Sequence, residues 1–228
     1  MQPRLAASVM LVRDAPFEVL LAKRNERGPF ASAFVFPGGV VEPGDHSESW
    51  LPLLQPDAPP RADERALRIA ACREVWEEVS IAPGVVGEAM PRDTANHVAF
   101  FDHVARSGCK LALTELVLFS HWITPVGAAK RFDTYFFICR TSGASSGQCD
   151  GIETVALEWV QPRQALASAQ RGERTFLLPT QENLKLLAQS ENCADAIRTA
   201  QHRSILPITP RRVVIGNSVT FTIEPSCN

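Results

Sequence analysis

The 228-residue sequence contains no stretch near the roughly 18–20 apolar residues that a membrane helix requires. It has no C-x-x-C pair and no His at metal-ligand spacing, which argues against a zinc site. Charge of one sign is not in excess either. Lys and Arg total 23 against 25 Asp and Glu, a formal net charge of −2, so nucleic acid and anionic membranes lack an electrostatic footprint. An anionic substrate must therefore be attracted by local Arg and Lys or by a bound cation. Six scattered cysteines (72, 109, 139, 149, 193 and 227) read as reduced thiols in a cytosol. The opening Met1 to Val12 lacks a basic segment before a long apolar run and reads as a strand, not a signal peptide. The closing Pro-Ser-Cys-Asn is no peroxisomal or retention signal. A cytoplasmic protein is the expectation. No internal repeat and no clean linker is visible, so one domain over 1–228 is the simplest account.

What is present is an ordinary globular composition, 45% hydrophobic and 21% charged, enough for a sizeable core. Leu5 to Val12 and Phe17 to Ala22 read as strands joined by a turn at Asp14-Ala15-Pro16. Ala33 to Phe36 is a short strand ending at Pro37-Gly38-Gly39. Residues 46–60 hold prolines at 52, 56, 59 and 60 and read as an irregular inserted loop, which with Trp50 either packs on the surface, the favoured reading, or forms a lid over the base or acyl group of a substrate. Helix signals run from Ala62 to about Val79, with Leu67, Ala71, Val75 and Val79 as a packing stripe. Leu116 to Trp122, Thr134 to Cys139 and Thr154 to Val160 are strands. Phe100, Phe101, Phe119, Trp122, Phe136 and Phe137 are core. Pro162 to Ala169 is a short helix, and 181–200 a longer amphipathic one. Residues 211–224 form a hairpin about Gly216-Asn217, so 180–228 is a helix-and-hairpin extension.

The chemistry lies in Arg73-Glu74-Val75-Trp76-Glu77-Glu78. On a helix Glu74, Glu77 and Glu78 stand at i, i+3 and i+4 and project from one face, and Arg73 lies one turn before Glu77. Upstream, the Gly38-Gly39 pair lets a main-chain oxygen approach a ligand. Carboxylates beside a carbonyl suit a hard divalent cation. Metal-assisted cleavage of a phosphate ester or anhydride follows.

This pattern resembles the box of the Nudix hydrolases, G-x5-E-x7-R-E-U-x-E-E-x-G-U with U aliphatic. It is matched at Gly39, Arg73, Glu74, Val75, Glu77, Glu78 and Ile81. Asp45 stands at the first Glu, Ser80 at the last Gly, and 27 residues (46–72) replace the usual seven. An expanded box is similar to the branch that includes the peroxisomal coenzyme A diphosphatase and its bacterial relatives. Phe34 to Val41, Trp122 to Pro125 and Arg131 to Phe137 extend the likeness over nearly the whole chain.

The resemblance implies an α/β/α sandwich with a mixed sheet and an insertion over 46–61. Glu74, Glu77 and Glu78 with the Gly39 carbonyl would hold Mg²⁺ or Mn²⁺, Arg73 would orient the glutamates and Asp45 would support the loop. A further carboxylate from a loop before a Trp-bearing strand would be Glu153, with Asp150 second. The general base would be Glu74, with Glu153 its rival. Lys23, Arg24 and Arg27 could grip phosphates, and Arg131 and Asp133 would line the pocket. A motif of coenzyme A-cleaving relatives is matched at Leu20, Leu21 and Arg24, with Pro29 and Ser32 standing at its second Arg and its Gly. The implied reaction is Mg²⁺-dependent hydrolysis of a nucleoside diphosphate linked to another moiety, with coenzyme A or acyl-coenzyme A leading. The alternatives are a house-cleaning pyrophosphatase for ADP-ribose, nucleotide sugars or dinucleotides, and a non-catalytic nucleotide sensor. The partner is a small-molecule nucleotide, and the state a monomer or homodimer.

Overall fold

The computed structural model describes residues 2–27, 31–59, 61–86, 99–141, 147–215 and 218–223. Its central strand, β1 (Arg4–Arg13), is buried from Ala6 to Val12. Ala7, Val9 and Leu11 enter one core and Met10 and Val12 the other. An unbroken apolar run is what a strand covered on both faces needs. Then come β2 (Glu18–Arg24), β3 (Phe34–Val35), β4 (Gly38–Val40), the helix α1 (Ala62–Val79), β5 (Val85–Val86) and α2 (Phe100–Ser107). The chain continues through β6 (Lys110–Leu111), β7 (Val117–Ile123), β8 (Phe132–Arg140), β9 (Thr154–Val160) and α3 (Pro162–Gln170). It closes with α4 (Leu178–Leu187), α5 (Cys193–His202), β10 (Pro207–Ile208), β11 (Arg211–Ile215) and β12 (Ser218–Thr222). The last two strands pair antiparallel, and the Gly216-Asn217 turn lies outside the described residues.

The main sheet has eight strands along the path β10-β7-β8-β1-β2-β3, with β4 on β1 and β9 on β2. Strands β1 and β8 run parallel; the other pairings to β1 and β2 are antiparallel. One edge of β1 is shared. Its first half, Ala6 to Ser8, pairs with β4, and its end, Val12 and Arg13, pairs with β2. Strand β2 then leaves β1 to pair with β9 and β3. The sheet therefore splits, and the two glycines stand at the split. Helices α1 and α2 pack in one core and α3 to α5 in the other, so the architecture is an α/β/α sandwich around a mixed sheet.

Three expectations need correction. The first part of the insertion, 46–53, is not irregular: 3-10 helices cover Pro43–His46 and Glu48–Leu53, and turns follow over 54–59. Trp50 does not pack on the surface but is 3% exposed, edge-on to Phe101 at 4.9 Å between centroids, with its Nε1 donating to the Gly44 carbonyl. An aromatic with a satisfied N–H serves as core material even inside an insertion. Phe100 and Phe101 begin a helix, α2, that the pattern did not announce. The single helix expected over 181–200 is two, because Asn192 caps α5 through its side chain, accepting from the Asp195 amide at 2.9 Å. Buried residues occur at helical spacing on both sides of the break, Leu184 and Leu187, then Ala196 and Ala200, so periodicity alone runs across it.

Candidate active site

Helix α1 lays Leu67, Ala71, Val75 and Val79 against the sheet, which leaves Arg73, Glu74, Glu77 and Glu78 on the flank facing the glycine strand. Close approach there requires glycine. At Gly39 a Cβ would stand 2.4 Å from Glu74 Cδ, and at Gly38 one would stand 2.2 Å from the Ala7 carbonyl oxygen. Side chains cannot occupy either position without displacing the helix flank or β1.

Arg73 organises one end of the site. Its Nε and Nη2 form a two-pronged pair with Asp45 at 3.0 Å each, Nη2 also donates to the Val40 carbonyl, and Nη1 donates to Glu74 and Glu77, each at 3.0 Å. Asp45 is 2% exposed, and its Oδ2 also accepts from the Glu42 amide at 2.8 Å. Burial works against the Arg73 charge, but the Asp45 hydrogen bonds and the surrounding carboxylates outweigh it and hold the guanidinium more firmly protonated than usual.

Glu78 occupies the other end. Its Oε2 accepts from the Gly38 amide at 3.1 Å. Burial raises its carboxyl to about 8; Glu74 and Glu153 push the same way, while the Gly38 amide and Arg24 pull back. Glu74 is also raised, chiefly by burial and against the pull of Arg73. Strand pairing sets Arg24 opposite Thr154, and the Asn25 amide donates to the Glu153 carbonyl at 3.0 Å, so both come to the Glu78 end although Glu153 lies 75 positions after it. The connection is local. The loop after residue 147 docks on the end of α1, where the Gln148 amide donates to the Val79 carbonyl and the Asp150 amide to the Glu78 carbonyl. The Ser80 hydroxyl donates to the Gln148 carbonyl at 2.8 Å.

Asp150 has a different task. Its carboxylate accepts from the amides of Ile152, Glu153 and Thr154, so it shapes the loop that carries Glu153. Arg131 and Asp133 are engaged at the β7–β8 hairpin: Arg131 Nε donates to the Thr124 carbonyl at 3.0 Å, and Asp133 bonds His121, which stacks on Tyr135 at 3.9 Å. Arg27 is exposed, its amide bonded to Asn25 Oδ1. The structure thus gathers Gly39, Arg73, Glu74, Glu77 and Glu78 with Arg24 and Glu153. Sequence reading did not single out Glu42, whose amide Asp45 holds, because nothing in its surroundings marks it before the turn is folded.

A hard divalent cation can be weighed against this set. In the arrangement described, Glu74 and Glu77 are turned onto Arg73, and no three carboxylate, imidazole or thiol groups converge on one point among the described residues. A cation would compete with Arg73 Nη1 for those two side chains. The donor chemistry nevertheless fits: all-oxygen ligands, a main-chain strand in contact with Glu74, and a half-buried Glu78 that accepts from the Gly38 amide. Glu74, Glu77, Glu78 and the Gly39 carbonyl are the groups that would hold it.

A family model described as NUDIX domain matches residues 2–178. Among named proteins, the chain is 30% identical to the acyl-coenzyme A diphosphatase NUDT19 of Gallus gallus over 79% of this chain and 68% of the relative. It is 27% identical to the Homo sapiens protein of the same name over 67% of this chain and 55% of the relative. The chain therefore spans between about half and two thirds of the length of those relatives. A solved Nudix hydrolase from Alicyclobacillus acidocaldarius superimposes with a TM-score of 0.74 and 28% identity, covering 87% of this chain and 96% of that one. With its sheet split at two glycines and its acid turn clamped by arginine, the chain belongs to the Nudix hydrolase family.

Proposed function

We propose that this protein hydrolyses the diphosphate linkage of coenzyme A or an acyl-coenzyme A in a Mg²⁺- or Mn²⁺-dependent reaction. The observation that carries the reading is the approach of Glu74 and Glu78 to the Gly38–Gly39 strand, where a Cβ on Gly39 would stand 2.4 Å from Glu74 and the Gly38 amide donates to Glu78. Relatives named acyl-coenzyme A diphosphatase support the choice of substrate. A divalent cation at this set would neutralise the diphosphate and acidify a bound water. The remaining work falls to side chains. Arg73 holds Glu74 and Glu77 in register, and Asp45 holds Arg73. Glu74, made more basic by burial, accepts the proton of the attacking water, with Glu153 as the second candidate. Water adds to one phosphorus, the bridging P–O bond breaks, and the products are two phosphomonoesters and a proton. Arg24, beside Glu78, meets the phosphates of the nucleotide half. Five free thiols among the described residues, four of them buried, support a reducing compartment such as the cytosol. Among those residues no helix is long and apolar enough to cross a membrane.

Purified protein with Mg²⁺ is assayed on coenzyme A and on ADP-ribose. Release of 3′,5′-ADP and a phosphopantetheine is the expected result, abolished in Glu77→Gln while its circular dichroism is unchanged. Preference for ADP-ribose would replace this substrate with the house-cleaning class, and equal inertness of both proteins on both compounds would favour a sensor.

A further inference from the structure

Between the insertion, the start of α2 and the outer flank of α1 lies a cleft of about 380 Å³, within the range of small-molecule sites. One wall is aromatic: Trp50 from the insertion with Phe100 and Phe101 from α2. Glu42, Asp45, Arg73 and Glu77 supply the charged part of the lining. Arg73 and Glu77 also belong to the acid turn, so the cleft opens directly from the place where a diphosphate would lie. Ser47 and Ser49, also from the insertion, stand at the rim as exposed hydroxyls.

We infer that this cleft is the subsite for the uncharged, flexible arm attached to the distal phosphate, the pantetheine and acyl portion of the substrate; the inference rests on the coenzyme A reading given above. Three features favour that occupant. Among the described residues its charged lining is acidic in balance, Glu42, Asp45 and Glu77 against an Arg73 already bonded to Asp45, Glu74 and Glu77, so a phosphorylated ribose is disfavoured there. Trp50 and Phe100 are 3% and 1% exposed, too little ring to stack a nucleobase but enough apolar edge to line a narrow chain. Arg24 stands at the other end, paired with Thr154 beside the 147–154 loop that docks on the end of α1, which sets the nucleotide on that side and the arm on this one. The insertion is then a specificity device: it turns an exposed flank of the catalytic helix into a wall.

Two variants test it, Phe101→Ala, which removes an aromatic edge, and Ser49→Trp, which fills the mouth from an exposed position. Steady-state kinetics are measured on a medium-chain acyl-coenzyme A and on ADP-ribose, with thermal melts to verify folding. Both variants are expected to raise KM for the acyl-coenzyme A about tenfold with kcat within twofold, so the preference over ADP-ribose falls by the same factor. If wild type cleaves the acyl-coenzyme A but the folded Ser49→Trp protein loses activity on both substrates in parallel, or changes on neither, the subsite assignment is overturned and the proposed reaction stands. If wild type cleaves no coenzyme A compound, the proposed reaction itself falls and takes the subsite with it.

Discussion

Asp45 and Glu78 are carboxylates of one motif, the first buried and the second half-buried. Asp45 accepts two bonds from Arg73 and a third from the Glu42 amide. Glu78 accepts from the Gly38 amide and faces Glu74 and Glu153, so its charge is opposed where that of Asp45 is met. A buried charge with a full complement of partners works as a strut. One opposed chiefly by burial, and further by its own sign, is a charge that a bound cation would stabilise. The same turn therefore holds a structural end and the end proposed to react, joined by Arg73.

Removing Glu78 should separate the two most sharply. In Glu78→Gln the amide oxygen can keep the Gly38 bond, and hydrolysis is expected to fall by roughly 10²- to 10³-fold, the scale of losing one group that governs charge in the transition state. Stability should move the opposite way. The Glu78 carboxyl titrates at about 8 when folded and near 4.3 unfolded, so ionisation opposes folding. In divalent-free buffer its contribution is most favourable below about pH 4.3 and is lost as pH rises toward 8, by an amount on the order of a few kcal/mol. Chemical denaturation between pH 5 and 8 should show that decline in wild type and a flatter profile in Glu78→Gln. Added Mg²⁺ should raise the melting temperature of wild type more than that of the variant.

The structural end breaks differently. Arg73→Ala leaves Asp45 buried without its main partner and is expected to cost about 3–5 kcal/mol of stability. Making Asp45 neutral in the same chain, Asp45→Asn with Arg73→Ala, should recover part of that loss. A melt of the double variant no higher than that of Arg73→Ala would mean that the pair is not the strut described here.

The two glycines repeat the contrast on a smaller scale. At Gly38 a Cβ meets β1 backbone, and φ is +152°, so Gly38→Ala should destabilise by roughly 1–3 kcal/mol or more. At Gly39 the obstacle is the end of a Glu74 side chain, which can rotate. Gly39→Ala should therefore change melting by less than about 1 kcal/mol while lowering kcat, because the displaced group is the proposed base.

How much of this could be read beforehand depended on whether the information was local. The bounds of α1, the strands at 117–123 and 154–160 and the acid face follow from periodicity and spacing, which are properties of neighbouring residues. Trp50 could not be placed, since its burial comes from α2, fifty positions on, and α2 begins with two phenylalanines that read equally well as core strand. Glu153 was reachable only through the family pattern, because its position beside Glu78 depends on amides of the 147–154 loop capping α1. The break before α5 rests on one side-chain cap that leaves the apolar period intact.

Ser80 offers the smallest and most exact test of that loop. It stands where the family box has glycine and adopts φ +61°, ψ +25°, as does Ser32, at φ +59°, in the upstream motif. The left-handed geometry is thus kept without the residue that suits it, at about 1 kcal/mol in strain. What Ser80 contributes in exchange is its hydroxyl on the Gln148 carbonyl. Ser80→Gly relieves the strain but loses the bond, worth about 0.5–1.5 kcal/mol, so the melt should hardly move. Ser80→Ala keeps the strain and loses the bond, and should be destabilised by about 1 kcal/mol. If the loop positions Glu153, both variants should lower kcat by the same few-fold factor despite their different melts. Activity that tracks stability instead would show that the hydroxyl only caps the helix and that Glu153 is held by the Gln148 and Asp150 amides alone.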